Sequence, residues 1–258
     1  IGVSRNGRSF DRTEIPLDAK TTILHIKADV GPEDRVEYRV VLPPWANPIL
    51  TDLSLPVGHK LGAFTPPRRG AYLALGDSIT HGSGLEASYE GYPWQVAQAL
   101  SLELFNLGSG GARVAPTLAR STADWRPESV SLITTLFGYN DWMSGGKTAA
   151  EFKEDYTQLL SLIRRRHPHA PLVCLNLLQT SKVVSCRSGL PVDGFRSAIR
   201  EVVADRRSMG DTNIFVAPSE TWTTSAPIHV PDGVHPGPEG SSLVASHLIS
   251  FLRSNVGL

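Results

Sequence analysis

The stretch Ala71-Tyr-Leu-Ala-Leu-Gly-Asp-Ser-Ile-Thr80 is the strongest signal for the fold of this chain. Its apolar part predicts a buried strand over residues 71–76, and the glycine that ends the run predicts a sharp turn. Open α/β sheets bind their ligands at the carboxyl ends of parallel strands. Ser78 follows the strand directly, so its hydroxyl is a candidate nucleophile provided that a base reaches it. The other interpretation is an ordinary turn serine, and residues far downstream decide between the two.

Alternating strand and helix signals continue from residue 70 to the end of the chain. Strands are predicted at 71–76, 102–107, 130–137, 171–178 and 212–217. Helices are predicted at 91–101, 114–122, 148–166, 192–208 and 238–254. This alternation is typical of an α/β fold in which helices cover both faces of a parallel sheet.

Residues 1–65 have a different pattern, with β-like signals and little helical periodicity. The stretches 21–28 and 36–42 alternate apolar and polar residues, and 49–57 is a third strand candidate. We predict a small β-rich accessory part over 1–65, in the form of an incomplete β-sandwich. The α/β domain is then predicted over residues 70–258.

Composition narrows the class of protein. The chain has 258 residues, no formal net charge and 41% hydrophobic residues, which suits a globular protein with an ample core. Neutral charge argues against nucleic acid or an anionic membrane as the main partner. No apolar run approaches the roughly 20 residues that a membrane-spanning helix needs.

Two observations bear on the compartment. The two cysteines, Cys174 and Cys186, do not form a disulfide framework and favour a reducing, cytoplasmic setting. The chain begins with Ile1, which we interpret as a processed or trimmed start. Removal of a signal peptide would make the protein secreted instead.

A candidate acid and base lie near the end of the chain, in Pro231-Asp-Gly-Val-His-Pro-Gly237. A carboxylate at Asp232 can accept the Nδ1–H of His235, which leaves Nε2 free to take a serine proton. This loop follows the last predicted strand and so belongs to the same sheet edge as Ser78. The alternative is a capping aspartate beside a surface histidine.

Two further strand ends offer hydrogen-bond donors. The glycines in Phe105-Asn-Leu-Gly-Ser-Gly-Gly111 let backbone N–H groups approach a ligand closely. This is not a dinucleotide fingerprint, because Arg113 stands where the last glycine belongs. In Phe137-Gly-Tyr-Asn-Asp141, the Asn140 amide can donate to a developing oxyanion. Four strand ends therefore carry a nucleophile, two kinds of donor and an acid–histidine pair.

These motifs resemble the four sequence blocks of the SGNH (GDSL-type) esterase and acylhydrolase family. The matching residues are Gly76-Asp-Ser-Ile-Thr80, Asn106 with Gly111, Gly138-Tyr-Asn-Asp141, and Asp232 with His235. They follow the family order within residues 71–240. The resemblance implies a flavodoxin-like three-layer α/β/α sandwich with a five-stranded parallel sheet. Residues 1–65 lie outside it, although some members of the family carry a β-sandwich there.

The resemblance also implies roles for individual residues. Ser78 would be the nucleophile, with Asp232 and His235 completing a catalytic triad. The oxyanion would be bound by the backbone N–H groups of Ser78 and Gly111 and by the Asn140 side chain. Gly110 is adjacent, and the spacing from Asn106 favours Gly111. Ile79 replaces the leucine of the family name, a common variant.

Other enzyme classes fit less well. An α/β-hydrolase needs G-x-S-x-G, and no glycine lies two residues after Ser78. Neither H-E-x-x-H nor paired cysteines with metal spacing occur, so we expect no metal and no cofactor.

The resemblance implies serine-dependent acyl transfer between small molecules. The leading hypothesis is hydrolysis of a small acyl ester, such as an acetylated sugar. The alternative is an acyltransferase that moves the acyl group of an ester or thioester onto a hydroxyl of a natural product such as a polyketide. A third is a non-catalytic binding module. Tyr139, Trp142 and Trp222 are predicted to form the pocket wall, with ordinary packing as the alternative. The long loop 179–190 is predicted to shape the acyl site.

Overall fold

The computed structural model describes residues 1–6, 11–14, 21–26, 35–42, 49–63, 70–115 and 129–258. The described residues fall into two units. One contains those before residue 68 together with Glu86–Tyr89, and the other contains the rest.

The N-terminal unit contains one antiparallel sheet of three short strands. They are β1 (Gly2–Arg5), β2 (Asp11–Arg12) and β3 (Tyr38–Val41), in the order β2-β1-β3. Strand β3 lies within the predicted stretch 36–42, so the β-rich character is confirmed there. The described residues of this unit form one sheet, and the second sheet of a sandwich is not among them.

Two predicted strands of this unit are wrong in the part that the structure describes. Residues 21–26 and 49–57 are not in strands, and most of their side chains are exposed. An alternating pattern forms a strand only where a neighbouring strand pairs with it and one face is covered. Residues 27–28 lie outside the described residues.

The larger unit is built on a parallel sheet of five strands. They are β4 (Ala71–Gly76), β5 (Glu103–Gly108), β6 (Val130–Leu136), β7 (Leu172–Leu175) and β8 (Ile214–Ala217). The order is β5-β4-β6-β7-β8, and every neighbouring pair is parallel. This is the flavodoxin-like order, which confirms the predicted fold class.

In the part of the chain that the structure describes, helices follow β4, β6, β7 and β8. They are α1 (Ser78–His81), α2 (Tyr92–Ala99), α3 (Tyr139–Met143), α4 (Ala149–Arg166), α5 (Asp193–Ser208) and α6 (Pro238–Asn255). Of the predicted helix 114–122, the first two residues are not helical and the rest lies outside the described residues. Within the described ranges, no helix has both the length and the apolar character that crossing a bilayer requires.

Successive residues of β4 face opposite sides of the sheet and join two separate cores. Leu73 and Leu75 pack with buried residues of α4 and α5, including Phe152. Tyr72 and Ala74 pack with buried residues of α2 and α6. Because both faces are covered by helices, every residue of β4 is buried and the unit has three layers.

The topology brings three loops to one edge of the sheet. Parallel strands end at the same edge, and β4 lies between β5 and β6, where the strand order reverses. Ligands of open α/β sheets bind in the crevice at such a reversal. Ser78 follows β4, Gly111 follows β5 and Asn140 follows β6, so the three share this crevice.

Candidate active site

Ser78 is the first residue of helix α1, and two glycines allow that helix to sit close to the sheet. A Cβ atom at Gly76 would lie 1.9 Å from Thr80 Oγ1, and one at Gly108 would lie 2.3 Å from the His81 backbone nitrogen. No side chain fits at either position. The tight turn therefore requires glycine at the ends of both β4 and β5.

Asp77, between strand and helix, is a fully buried carboxyl group that is not among the predicted site residues. Its side chain caps α1 by accepting a hydrogen bond from the Ile79 N–H at 3.0 Å. Burial raises the pKa of Asp77 to about 7, and the nearby charge of Asp141 adds to the shift. The carboxyl group beside Ser78 therefore titrates near neutral pH.

A continuous chain of hydrogen bonds joins Ser78, His235 and Asp232. Ser78 Oγ is 2.9 Å from His235 Nε2, and His235 Nδ1 is 2.6 Å from Asp232 Oδ2. The His235 side chain is 23% exposed, so solvent reaches it. In this geometry the carboxylate accepts a hydrogen bond from Nδ1–H, and Nε2 is free to accept the hydroxyl proton.

The second oxygen of Asp232 shapes the turn that carries the histidine. Asp232 Oδ1 accepts hydrogen bonds from the backbone N–H groups of Val234 at 2.8 Å and His235 at 2.7 Å. Partial burial opposes ionisation, but the bonds from the His235 ring and from both backbone groups outweigh it. They hold the pKa of Asp232 below its ordinary value. The acid is thus charged at neutral pH.

The segment Ser109–Val114 after β5, called the glycine loop below, lies against the strand end and against α3. The Ser109 N–H donates to the Gly76 carbonyl at 3.0 Å. Asn140 Nδ2 donates to the Ala112 carbonyl at 3.1 Å, which leaves the second amide hydrogen for another acceptor. Gly111 has a φ of +73°, in the left-handed region that favours glycine. The loop and the Asn140 amide therefore adjoin each other.

The segment after β7, predicted as the loop 179–190, contacts both sides of the site. Ser181 donates to the Gly233 carbonyl through its N–H at 2.8 Å and its hydroxyl at 2.9 Å. At the other end, Ser185 Oγ donates to the Met143 carbonyl at the end of α3. This segment therefore connects the histidine turn with α3.

The three residues predicted to form the pocket wall are almost completely buried. Tyr139, Trp142 and Trp222 are 8%, 1% and 7% exposed, so their rings offer almost no surface to a ligand. Trp142 packs edge-on against Tyr139 and donates its Nε1–H to the Leu190 carbonyl. Trp222 stacks on His247 of α6. These rings lie near the strand ends, but the cores bury them.

Two further residues near the site, Asp141 and Lys147, are not among the predicted site residues. Asp141 is fully buried, and Lys147 lies 2.8 Å from it. Asp141 is part of the Gly-x-Asn-Asp motif, so its position could have suggested a role, whereas nothing local singles out Lys147. In the part of the chain that the structure describes, no group of three or more His, Cys, Asp or Glu side chains is arranged to hold a metal.

Comparison of the chain with models of protein families identifies a match. The GDSL-like lipase/acylhydrolase family matches residues 74–243, which include every residue of the hydrogen-bond chain. A comparison with curated protein sequences finds no match.

Solved structures with a similar fold include two carbohydrate esterases and an acyltransferase. A salicylyl-acyltransferase from a tetracycline biosynthetic pathway is 20% identical, with a TM-score of 0.58, over 76% of this chain and 57% of that protein. A family two carbohydrate esterase from Clostridium thermocellum, in complex with cellohexaose, is 22% identical, with a TM-score of 0.58, over 77% of this chain and 68% of that one. A family 3 carbohydrate esterase from Talaromyces cellulolyticus is 19% identical, with a TM-score of 0.54, over 72% of this chain and 98% of that one. At these identities the similarity concerns the fold.

Proposed function

This chain belongs to the GDSL-like lipase/acylhydrolase family, and we propose that it hydrolyses a small carboxylic ester through an acyl-enzyme on Ser78. The observation that supports the proposal is the hydrogen-bond chain from Ser78 Oγ through His235 to Asp232, with distances of 2.9 Å and 2.6 Å. A nucleophile, a base and an orienting acid in contact are the arrangement that activates a serine hydroxyl.

In the first half-reaction, Ser78 Oγ attacks the ester carbonyl while His235 Nε2 takes the hydroxyl proton. Asp232 holds the Nδ1 proton and stabilises the imidazolium that forms. The negative charge on the former carbonyl oxygen is met by the N–H groups of Ser78 and Gly111 and by Asn140 Nδ2. His235 then protonates the leaving alcohol as the ester C–O bond breaks.

In the second half-reaction, a water molecule resolves the acyl-enzyme. His235 Nε2 takes a proton from the water, whose oxygen attacks the acyl carbon. The bond to Ser78 Oγ breaks, the proton returns to that oxygen and the carboxylic acid leaves. For the substrate we propose an acetylated sugar, since two similar folds are carbohydrate esterases. The catalytic domain of this proposal is residues 70–258, with residues 1–65 as an accessory part.

The second candidate is transfer of the acyl group from an ester or thioester onto the hydroxyl of another small molecule. It uses the same acyl-enzyme, and the salicylyl-acyltransferase has a similar fold. An activated acetyl donor supplied with and without candidate sugar and phenol acceptors distinguishes the two. Hydrolysis predicts mainly free acetate in every case, whereas transfer predicts new ester when the right acceptor is present.

Active-site labelling tests the shared step. We expect a fluorophosphonate probe to modify the chain once, on Ser78, as identified by mass spectrometry of peptides. Ser78→Ala should lose both the label and the turnover of p-nitrophenyl acetate. Ser83→Ala, a serine in the turn after α1, is the matched control and should retain both. Absence of labelling in the wild-type chain would contradict the proposal and favour a binding module.

A further inference from the structure

Lys147 lies beside the end of the glycine loop, where its ammonium group contacts oxygen atoms from three parts of the chain. Nζ is 2.8 Å from Asp141 Oδ1 on α3 and 2.7 Å from Asp155 Oδ2 on α4. It also donates to the Val114 carbonyl, the last residue of the glycine loop. An ammonium group has three donors, so each has an acceptor. Lys147 therefore joins the loop to two helices.

Asp141 binds the other backbone group of Val114, its N–H. The Val114 N–H donates to both carboxylate oxygens of Asp141, at 3.2 Å and 3.1 Å. The backbone of Val114 is thus fixed at its N–H by Asp141 and at its carbonyl by Lys147. The residue before Asp141, Asn140, donates to the Ala112 carbonyl. The second half of the glycine loop is therefore attached to the start of α3 by side chains of α3 and by Lys147.

The charge of Lys147 is required by the burial of its partner. The Asp141 side chain is fully buried, and a buried carboxylate without a counter-charge is strongly unfavourable. Partial burial disfavours the ammonium, but its hydrogen bonds to Asp141 and Asp155 outweigh this and raise the pKa of Lys147 above its ordinary value. Lys147 is therefore charged at neutral pH. Without it, Asp141 would have to draw in water or move, and the loop attached to Asp141 would move with it.

We propose that Lys147 is a positioning residue for the oxyanion donors. By holding the glycine loop on α3 through Asp141 and Val114, it sets where the Gly111 N–H and the Asn140 amide point. This inference rests on the proposed function, since it assigns the two donors to the oxyanion. The contacts of Lys147 are with Asp141, Asp155 and Val114 and not with Ser78. Because the oxyanion forms only as the reaction proceeds, the effect is expected on kcat rather than on KM.

The variant Lys147→Met removes the charge and keeps a side chain of similar length. We expect kcat for p-nitrophenyl acetate to fall by about 10- to 100-fold with KM little changed, because small misplacements of catalytic groups have effects of that order. The matched control is Lys153→Met. Lys153 also pairs with two carboxylates, Glu201 at 2.8 Å and Asp205 at 3.5 Å, but on the outer surface of α4 and α5. Its loss should leave kcat at the wild-type value.

A double-mutant cycle separates positioning from a general effect on folding. If Lys147 acts through the oxyanion donors, Lys147→Met should lower kcat much less in the Asn140→Ala background than in the wild-type chain. Equal fold-losses in both backgrounds, or a wild-type kcat in folded Lys147→Met, would overturn the inference. Should Lys147→Met not fold, Lys147→Gln takes its place, since its amide keeps a donor beside Asp141 while the charge and the bridge to three oxygen atoms are lost. A lower kcat in that variant supports the inference, and an unchanged kcat overturns it.

Failure of the proposed function gives a different result from failure of this inference. A wild-type chain that neither accepts the fluorophosphonate label nor turns over the ester overturns both. Normal labelling and turnover in the wild-type chain, together with an unaffected Lys147→Met, overturn only the positioning role.

Discussion

Replacing Asp77 by asparagine should change how the stability of this protein depends on pH. The carboxyl group is fully buried between β4 and α1, and burial raises its pKa from 3.8 to about 7. Asparagine has nearly the same shape, and its side-chain oxygen can accept the hydrogen bond that the Ile79 N–H now donates to Asp77. The variant Asp77→Asn therefore removes a titration while keeping the helix cap.

The size of the effect follows from the two pKa values. Below pH 3.8 the Asp77 carboxyl is protonated in both the folded and the unfolded chain, so its ionisation does not lower the free energy of unfolding. As the pH rises, ionisation is easier in the unfolded chain, so stability falls until the pH passes about 7. A shift of three pKa units corresponds to about 4 kcal/mol, of which about 2 to 3 kcal/mol falls between pH 5 and pH 8.

The measurement is urea unfolding of the wild-type chain and of Asp77→Asn at several pH values across that range. We expect Asp77→Asn to gain stability relative to the wild-type chain as the pH rises, and the difference to level off above neutral pH. The control is Asp205→Asn, which changes a carboxylate that is 63% exposed and should show no such trend. Parallel pH profiles for Asp77→Asn and the wild-type chain would refute the reasoning, since the carboxyl group would then be solvated or already charged in the fold.

Three further substitutions test separate parts of the structure. Asn140→Ala should lower kcat by about 10²- to 10³-fold in ester hydrolysis, because it removes one oxyanion donor; an unchanged kcat would contradict that role. Gly108→Ala should fail to fold or lose most of its stability in thermal melts, since its Cβ would lie 2.3 Å from the His81 backbone nitrogen, while Gly110→Ala, with no atom within 4 Å, should melt like the wild-type chain. Thr148→Ala should lower the free energy of unfolding by about 1 kcal/mol, because Thr148 caps α4; no change would show that the cap is dispensable.

The α/β part of the fold could be predicted because its signals are local. The six apolar residues of β4 stand next to a Gly-Asp-Ser turn, and the predicted strand has the same bounds as the observed one. Helix α4 begins with another local signal, the spacing of Thr148 and Glu151, which form a capping box with the Glu151 N–H 3.2 Å from Thr148 Oγ1. The strands predicted in the N-terminal part are absent at 21–26 and 49–57, because a strand there depends on a pairing partner that local alternation does not reveal.

Some residues of the site could likewise be predicted from the sequence, and others could not. Ser78, Asp232 and His235 could be predicted to meet, since strand ends of a parallel sheet share an edge whatever the sequence distance between them. The contact between Lys147 and Val114 spans 33 residues and has no pattern of its own. Packing decides how far an aromatic ring near a strand end is exposed, so the burial of Trp142 and Trp222 could not be predicted from their positions in the sequence. The raised pKa of Asp77 likewise depends on burial, which the residue type does not reveal.

The turn from Asp232 to His235 has a consequence for protein design. One carboxylate both folds the turn, through two backbone N–H groups, and orients the imidazole. The geometry of the pair is therefore encoded within four consecutive residues, with Gly233 at a φ of +80° between them. The turn therefore carries acid and base as one unit, and a design that borrows it has the nucleophile and the oxyanion donors still to place.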